Sequence, residues 1–311
     1  MTNSTNELTV SIIIPTLNAA KDWKNLQSGI DRQAARLEQV IVIDSESNDG
    51  TPQMAKNAGY TVIPISRREF NHGATRQMAA EQCTSDLLVC LTQDVCLEDP
   101  TAVTALIEPY SDPCIAATYG RQLARHGAGA IEEHARMFNY PEQGAIRSWS
   151  DRKVLGIRTT FMSNSFASYR KAALDQVGGF PNNVIMAEDA IVTARLLMAG
   201  WKSAYVADAC AVHSHPYGVR ELFRRYFDTG VCHRRESWMV ESFGRAGGEG
   251  RRFVISELKY LSTKNPFLLF YALVLTGAKM LGYNLGLLED RIPLPLRRVC
   301  SMHKGFWEHN L

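Results

Sequence analysis

The sequence lacks most of the features that mark a secreted, zinc-binding or fibrous protein. Its seven cysteines are odd in number, and no two of them form the CxxC pair that typically binds zinc. The N-terminal residues 1–10, MTNSTNELTV, contain neither a basic nor an apolar segment. We therefore expect no secretory signal, a reducing compartment, and free thiols that mostly fill the core. The 22 glycines and 12 prolines follow no period, which excludes a collagen-like chain.

An excess of charge of one sign is also absent. Lysine and arginine number 34 against 32 aspartates and glutamates, which gives a net charge of +2. Nucleic-acid-binding proteins usually carry a strong basic excess, so we expect no nucleic-acid partner. With 45% hydrophobic and 21% charged residues in 311 positions, the composition is typical of a folded globular protein with one large or two small domains.

Short apolar runs and amphipathic stretches alternate along the first hundred residues. Apolar runs occur at 10–14, 40–43, 60–65 and 87–91, with helical patterns between them at 21–35, 51–58 and 74–83. This alternation predicts an α/β fold with a Rossmann-like, mostly parallel sheet flanked by helices. Beyond residue 100, strands are predicted at 115–119, 159–169 and 203–207 and a helix at 187–198. The polar segment 126–153 predicts a loop or a loose helical excursion.

The C-terminal part of the chain contains one long apolar segment. Residues 266–278 carry no charge, but Lys279 interrupts the run, and it is too short to span a bilayer. One interpretation is a buried helical hairpin over 265–288. The other is a helix lying in the membrane interface, aided by Arg291, Arg297, Arg298, Lys304 and Trp307.

Polar residues follow the first two predicted strands. Pro15, Thr16 and Asn18 stand at the end of the first strand, and Asp44 and Ser45 at the end of the second. An acid in such a position can accept hydrogen bonds from ribose hydroxyls or from the edge of a base. Each signal alone also fits a turn or cap residue. Together, at neighbouring strand ends, they favour a nucleotide.

Two further places suit a diphosphate and a metal ion. Gly73 opens a predicted helix whose free N–H groups, with Arg76 one turn further on, suit a diphosphate. Gln93 and Asp94 follow the fourth strand, where one carboxylate can hold Mg²⁺ or Mn²⁺ with help from water and substrate phosphates. The alternatives are a surface cation at Arg76 and a cap at Asp94. There is no Walker A lysine and no GxGxxG motif, which disfavours ATPases and dinucleotide-binding enzymes.

The last candidate residues lie near the end of the first two thirds of the chain. Asp189 falls in the first turn of the helix predicted at 187–198, where it is either a cap or a general base aimed at an incoming hydroxyl. His213 and His215 follow the next strand, and either could ligate a metal or fill a loop.

The order of these motifs resembles that of an inverting glycosyltransferase of family 2 with the GT-A fold. Five segments, spread over about residues 9–215, are similar to the family's motifs: SIIIPTLN, VIDSESNDGT, LTQD, GGFP and AEDAIVTARLLMAGW. One position departs from the pattern, because Thr92 stands where the family's metal motif has its first acid. The motif thus keeps only its last carboxylate, Asp94.

The resemblance implies a role for each matched position. Pro15, Thr16 and Asp44 would hold the nucleobase and ribose, with Arg76 near the diphosphate. Asp94 would ligate Mg²⁺ or Mn²⁺, and His213 would complete the metal or diphosphate site. Asp189 would be the catalytic base, and Asn18, Ser45 and Gln93 belong to the same donor-binding segments.

A narrower resemblance concerns the donor and the acceptor. EFNHGATRQ, LTQD and SMHKGFW are similar to segments of bacterial rhamnosyltransferases that build O-antigen and related surface polysaccharides. This implies dTDP-β-L-rhamnose as the nucleotide-sugar donor and a lipid-diphosphate-linked saccharide as the acceptor. It also implies a cytoplasmic protein that is peripherally associated with the cytoplasmic face of the inner membrane. We accordingly divide the chain into a glycosyltransferase domain, 1–215, and a helical, membrane-associating region, 216–311.

Other functions remain open at this point. A non-catalytic sugar-nucleotide binder or membrane scaffold is favoured slightly by Thr92, and a family 2 enzyme that uses a UDP-sugar would share every motif. A nucleotidyltransferase is disfavoured because TLNAAKDW lacks the Gly-rich basic loop such enzymes need after the first strand. A glycoside hydrolase or carbohydrate-binding module would lack the nucleotide-facing strand ends.

Overall fold

The computed structural model describes residues 8–245 and 248–309, and one eight-stranded sheet organises them. The strand order is β3-β2-β1-β4-β7-β5-β8-β6. The strands are β1 Val10–Thr16, β2 Leu37–Asp44, β3 Thr61–Pro64, β4 Leu87–Leu91, β5 Ile115–Leu123, β6 Ala145–Arg147, β7 Phe166–Arg170 and β8 Lys202–Val212. The predicted strand at 159–169 is thus shorter and later, because 156–160 forms a 3-10 turn.

The sheet is mostly parallel, as predicted. β1 pairs in parallel with β2 and β4, and β5 pairs in parallel with β8. β7 is inserted antiparallel between β4 and β5, and β6 runs antiparallel along the β8 edge. The buried apolar side chains of β1 and β4 point alternately into two core layers, one on each face, which explains why these strands are apolar throughout.

Fourteen α-helices occur among the described residues. They are α1 Ala20–Asp31, α2 Thr51–Asn57, α3 His72–Gln82, α4 Ala102–Ile107, α5 Ala130–Asn139, α6 Arg152–Leu155, α7 Lys171–Gln176, α8 Glu188–Met198, α9 Val219–Arg235, α10 Ser237–Phe243, α11 Glu249–Lys264, α12 Leu269–Gly286, α13 Leu294–Cys300 and α14 Phe306–His309. Helices α1, α2 and α3 match the helices predicted at 21–35, 51–58 and 74–83 to within a few residues, whereas α4 was not predicted.

The polar segment 126–153 is more regular than the sequence predicts. It contains the ten-residue helix α5 and the edge strand β6. Helix α5 is held by α11, since His134 Nε2 lies 2.9 Å from Ser256 Oγ and Tyr260 donates to Glu133 at 2.9 Å. These partners lie more than a hundred residues away, so a local pattern does not reveal them.

The long apolar segment forms one continuous helix and not a buried hairpin. Helix α12 packs closely on α9, because a Cβ at Gly282 would lie 2.2 Å from the Phe223 carbonyl oxygen and one at Gly286 2.1 Å from that of Phe227. Only 17% of the apolar window within 266–286 is buried, and the helix is long and apolar enough to cross a membrane. The outer face of α12, together with the 3-10 turn Pro266–Leu268 that leads into it, is exposed, with Phe267 92% and Phe270 78% accessible.

Two expectations for the C-terminal region are wrong. Trp307 does not reach a membrane interface, since it is 1% exposed and packs with Phe227 in a small core. Arg297 and Arg298 are not free for lipid, because the Arg297 guanidinium lies 3.2 Å from Glu289 and the Arg298 guanidinium forms an ion pair with Glu308. At the other end of the chain, residues 1–7 of the predicted signal-free N-terminus lie outside the described residues. All seven cysteines are free thiols, and three of them are buried.

Candidate active site

The carboxyl ends of β1 and β2 form a polar pocket around one carboxylate. Thr16 Oγ1 donates to Asp44 Oδ1 at 3.0 Å. The same carboxylate accepts the backbone N–H of Ser47 at 2.9 Å and its hydroxyl at 2.6 Å. Ser45 Oγ is buried and has no hydrogen-bond partner among the described residues. A buried hydroxyl without a partner is costly, so it is a ready contact for a ligand.

The loop after β1 is held in place by side chains. Asn18 lies in the left-handed region (φ 51°), its N–H donates to Ser47 Oγ at 2.7 Å, and its Oδ1 accepts the Asn48 N–H at 3.0 Å. Gln93 bonds both backbone groups of Leu17, at 2.7 and 3.1 Å. Pro15 pairs with Ile43 in the sheet just before this loop. The structure therefore brings the predicted donor-binding residues of β1, β2 and β4 to one edge.

A second cluster unites Asp94 with two histidines. His213 Nε2 lies 3.4 Å from Asp94 Oδ1, and His215 Nε2 lies 3.1 Å from Oδ2. The three ligand atoms lie within 4.8 Å of one another. The clustering has a clear cause, because Cys96 and Val212 exchange two backbone hydrogen bonds of 2.9 and 3.0 Å that tie the loop after β4 to the end of β8.

Gln122 sets the tautomer of His213. Arg136 Nη1 donates to Gln122 Oε1 at 2.8 Å, and since a guanidinium only donates, this contact identifies the amide oxygen. His213 Nδ1, at 3.0 Å from the same oxygen, must then be the donor. In the neutral ring Nε2 is consequently unprotonated, and its lone pair faces the Asp94 carboxylate. Two facing lone pairs repel each other, so a cation between them fits this site.

The charges around Asp94 agree with a cation site. Burial works against the Asp94 carboxylate, but its contact with His215 helps to hold its pKa well below the usual range. Burial lowers the pKa of His213, which keeps the ring neutral and able to bind metal. Thr92 Oγ1 is buried without a hydrogen-bond partner among the described residues. In place of the acid missing at Thr92, the two histidines offer two further nitrogen ligands for a cation beside Asp94.

Helix α8 presents two adjacent carboxylates with different environments. Glu188 is buried and forms an ion pair of 3.0 Å with Arg76. Although burial opposes it, this contact lowers the pKa of Glu188. Burial and the neighbouring Glu188 charge instead raise the pKa of Asp189 to about 7. Two carboxylates with divergent pKa values are typical of acid–base sites.

Asp189 is oriented by two backbone donors. Its Oδ2 accepts the Asn164 N–H at 3.1 Å and its Oδ1 accepts the Ala190 N–H at 2.8 Å. Asn164 lies two residues before Phe166, which pairs with Leu91 at the end of β4. Asp189 and Asp94 therefore lie at the same edge of the sheet. Ala187, with φ 63°, makes the turn that starts α8.

The arginines are distributed differently from the sequence-based expectation. Arg76 is buried against Glu188, the neighbour of Asp189 in α8, and its diphosphate role stays a prediction. Arg136 and Arg225, which the sequence did not single out, have no acidic partner within 4 Å among the described residues. Arg225 lies over the Tyr217 ring, with its guanidinium 5.7 Å from the ring centroid. No local pattern marks these two positions, because only the tertiary fold places them near the histidines.

Comparisons with known proteins support the same interpretation. The model of glycosyl transferase family 2 matches residues 11–178, and that of glycosyl transferase family group 2 matches residues 103–288. The O-antigen chain rhamnosyltransferase RfbN of Salmonella typhimurium is 44% identical over 302 residues, covering 96% of each chain. WbaN of Salmonella anatum, which carries the same description, is 44% identical over 301 residues with the same coverage.

Solved structures share the fold at low sequence identity. The mannosyltransferase PcManGT of Pyrobaculum calidifontis, in complex with GDP-Man and Mn²⁺, matches with a TM-score of 0.59 and 18% identity, over 98% of this chain and 86% of its own. S. aureus TarS 1–349 in complex with UDP-GlcNAc matches with a TM-score of 0.53 and 16% identity, over 91% and 92%. The GT-A fold and the family resemblance inferred from the sequence are both confirmed, and the chain belongs to glycosyl transferase family 2.

Proposed function

We propose that this family 2 glycosyltransferase transfers L-rhamnose from dTDP-β-L-rhamnose to a hydroxyl of a lipid-diphosphate-linked saccharide in O-antigen-type synthesis. The choice of sugar and pathway rests on the near full-length similarity to two O-antigen chain rhamnosyltransferases. The reaction type rests on one structural observation. A carboxylate with a raised pKa, Asp189, lies at the same sheet edge as the cluster of Asp94, His213 and His215.

The proposed chemistry is a single displacement with inversion. Asp189 accepts the proton of the acceptor hydroxyl while that oxygen attacks the anomeric carbon from the face opposite the nucleotide. The bond between the anomeric carbon and the diphosphate oxygen breaks, and its electron pair leaves with dTDP. The products are an α-linked rhamnoside and dTDP. A pKa near 7 suits a base that must be ionised yet able to bind a proton at neutral pH.

Asp94, His213 and His215 would hold the divalent cation. When bound, the cation neutralises the negative charge that grows on the departing diphosphate. Imidazole nitrogens bind transition metals better than Mg²⁺, which prefers an octahedral set of oxygens. Among the two ions predicted from the sequence, the ligand set therefore favours Mn²⁺. Thr16, Asp44 and the loop after β1 would bind the thymine and ribose of the donor.

We also propose that residues 216–311 associate with the cytoplasmic face of the inner membrane, with 1–215 as the transferase domain. The supporting observation is the exposed outer face of α12, where Phe267, Phe270 and Leu273 are accessible. Arg291 and Lys304 of the same region are exposed, and an apolar face together with cations suits an anionic lipid surface. This placement would bring a lipid-linked acceptor to the site.

Turnover against a donor panel tests the transferase proposal. The full-length protein is incubated with dTDP-rhamnose, UDP-glucose, UDP-galactose or GDP-mannose, a lipid-linked acceptor extract, and Mn²⁺, Mg²⁺ or EDTA. We expect release of dTDP alone, fastest with Mn²⁺ and abolished by EDTA. Turnover of a UDP-sugar would agree with the family assignment but would refute dTDP-rhamnose as the donor. Nucleotide binding without turnover of any donor would favour the binder or scaffold instead.

A full-length double variant tests the membrane proposal. Phe267→Glu with Phe270→Glu places two charges on the outer face of α12, and we expect it to lose flotation with anionic liposomes. The matched control is Ile146→Glu with Val154→Glu, since both side chains are exposed and apolar but lie in the segment between β5 and β7. Equal flotation of both double variants would refute the assignment of this face.

A further inference from the structure

The segment that follows α13 crosses over the inner part of α9. We call residues 301–304 the C-terminal strap. Asp228 of α9 is 0% exposed, and its Oδ2 accepts the Met302 N–H at 2.8 Å. Ser301 is also fully buried, and its Oγ accepts the His303 N–H at 2.9 Å. A buried carboxylate thus fixes the backbone of the strap, and with it the position of the His303 side chain.

Aromatic packing anchors the strap on its far side. The Trp307 ring lies 6.5 Å from that of Phe227, and both belong to one buried cluster with Ile185. The Arg235 guanidinium lies 5.2 Å from the Trp307 ring centroid. Ile185 stands in the loop that leads into α8. The strap and the base helix are therefore packed on the same small core.

His303 meets His72 beside the carboxylate pair. The two imidazole rings lie 4.9 Å apart, edge to face, with an interplanar angle of 90°. His72 begins the turn of α3 that carries Arg76, which donates to the His72 carbonyl oxygen at 2.9 Å. Both rings lie within electrostatic range of Glu188, and burial lowers the pKa of each despite that charge. The rings are therefore neutral at pH 7.

The ring nitrogens of this pair are available for a ligand. Neither imidazole makes a side-chain hydrogen bond to another described residue, and both side chains are partly accessible. A neutral imidazole has one N–H donor and one acceptor nitrogen. Two such rings side by side match the alternating donors and acceptors of neighbouring sugar hydroxyls.

We propose that the side chains of His72 and His303 bind hydroxyl groups of the acceptor saccharide next to Asp189, so that the C-terminal strap contributes one side chain, His303, to the acceptor site. This inference rests on the proposed transferase function. The acceptor is favoured over the donor because His303 comes from the region that carries the exposed apolar face of α12. The candidate donor contacts come instead from β1, β2 and β4.

The test separates the Michaelis constants of the two substrates. Wild type, His303→Ala, His72→Ala and His303→Gln are assayed with dTDP-rhamnose and short-chain polyprenyl diphosphates carrying galactose, glucose, mannose or N-acetylglucosamine. Loss of one hydrogen bond typically corresponds to about a 3- to 10-fold change in affinity. We expect each alanine variant to raise the acceptor KM by about that factor and to leave the donor KM unchanged. His303→Gln, which keeps a donor and an acceptor, should recover part of the loss.

A control on the same strap separates binding from structure. Met302→Ala alters an exposed side chain but keeps the backbone bond to Asp228, so its acceptor KM should equal that of wild type. If His303→Ala fails to fold, the acceptor KM is measured on His72→Ala and His303→Gln instead. An unchanged acceptor KM in both alanine variants, or a rise in the donor KM instead, would overturn the inference. Wild type that turns over no member of the panel would instead refute the transferase proposal itself.

Discussion

Replacing Asp189 by asparagine tests the general base in both rate and stability. Asparagine has nearly the same shape as aspartate but cannot accept the acceptor proton. Loss of a positioned general base typically lowers a rate by about 10²- to 10⁴-fold. We therefore expect kcat to fall at least 100-fold in Asp189→Asn. The Kd of dTDP-rhamnose should stay within about threefold, because the candidate donor contacts come from other elements.

The same substitution has a calculable effect on stability. A pKa raised from 3.8 to about 7 corresponds to a free-energy cost of about 4 kcal/mol for keeping the ionised carboxylate in the folded state above pH 7. Partial exposure of Asp189 reduces this to roughly 2 kcal/mol. Between pH 4 and 7 the folded state binds the extra proton, so wild-type stability falls as pH rises through this window. The asparagine amide can accept only one of the two backbone N–H bonds, which costs about 1 kcal/mol.

The variant should therefore gain stability relative to wild type as the pH rises. We expect it to be about 1 kcal/mol less stable than wild type at pH 4.5 and equal to it or slightly more stable at pH 8. Urea unfolding at both pH values measures this, and dTDP release measures kcat. Asp175→Asn, in a surface ion pair with Lys171, is the matched control and should change neither quantity. A kcat within tenfold of wild type, or a stability difference independent of pH, would refute the reasoning.

Three further predictions follow from neighbouring contacts. Gln122→Leu removes the acceptor that sets the His213 tautomer, so Mn²⁺ affinity should fall about 10- to 100-fold in a direct titration; unchanged affinity would contradict the tautomer argument. The kcat/KM of wild type should rise with pH through about 7. In Glu188→Gln this rise should occur at lower pH, because the substitution removes a charge that raises the pKa of Asp189. A pH profile that does not shift would show that the Glu188 charge is not a cause of the raised pKa. Trp307→Ala should lower the free energy of unfolding by about 3–5 kcal/mol in urea, whereas a loss below 1 kcal/mol would show that its core contributes little.

Local patterns were sufficient for the first half of the sheet and for part of the site. The runs 10–14, 40–43 and 87–91 are apolar because both faces of β1, β2 and β4 are covered, so each run predicts its own strand. The polar residues that follow these strands then fall at one edge. Because both residues stand at this edge, the sequence already predicts that Thr16 and Asp44 lie close together. Their hydrogen bond of 3.0 Å bears out the expectation that they lie together.

Other features follow from contacts that no local pattern encodes. Helix α5 lies in a polar segment, and its partner α11 follows more than a hundred residues later. The sequence did not distinguish the exposed apolar residues of α12 from the buried Trp307, because all of them are apolar residues of the same C-terminal region. Which of them meets solvent depends on how α9 and α12 pack through their glycines.

By itself, the sequence determined the α/β class, the family and the identity of Asp94 and Asp189 as candidate acids, since these depend on residues close together in the chain. The tertiary structure decided which side chains complete each acid. The bridge between Cys96 and Val212 brings His215 to Asp94, and the buried Arg76 commits Glu188 to an ion pair and leaves Asp189 as the carboxylate of raised pKa. Such pairings depend on strand order and helix packing, because electrostatic and hydrogen-bonding contacts act across space and not along the chain.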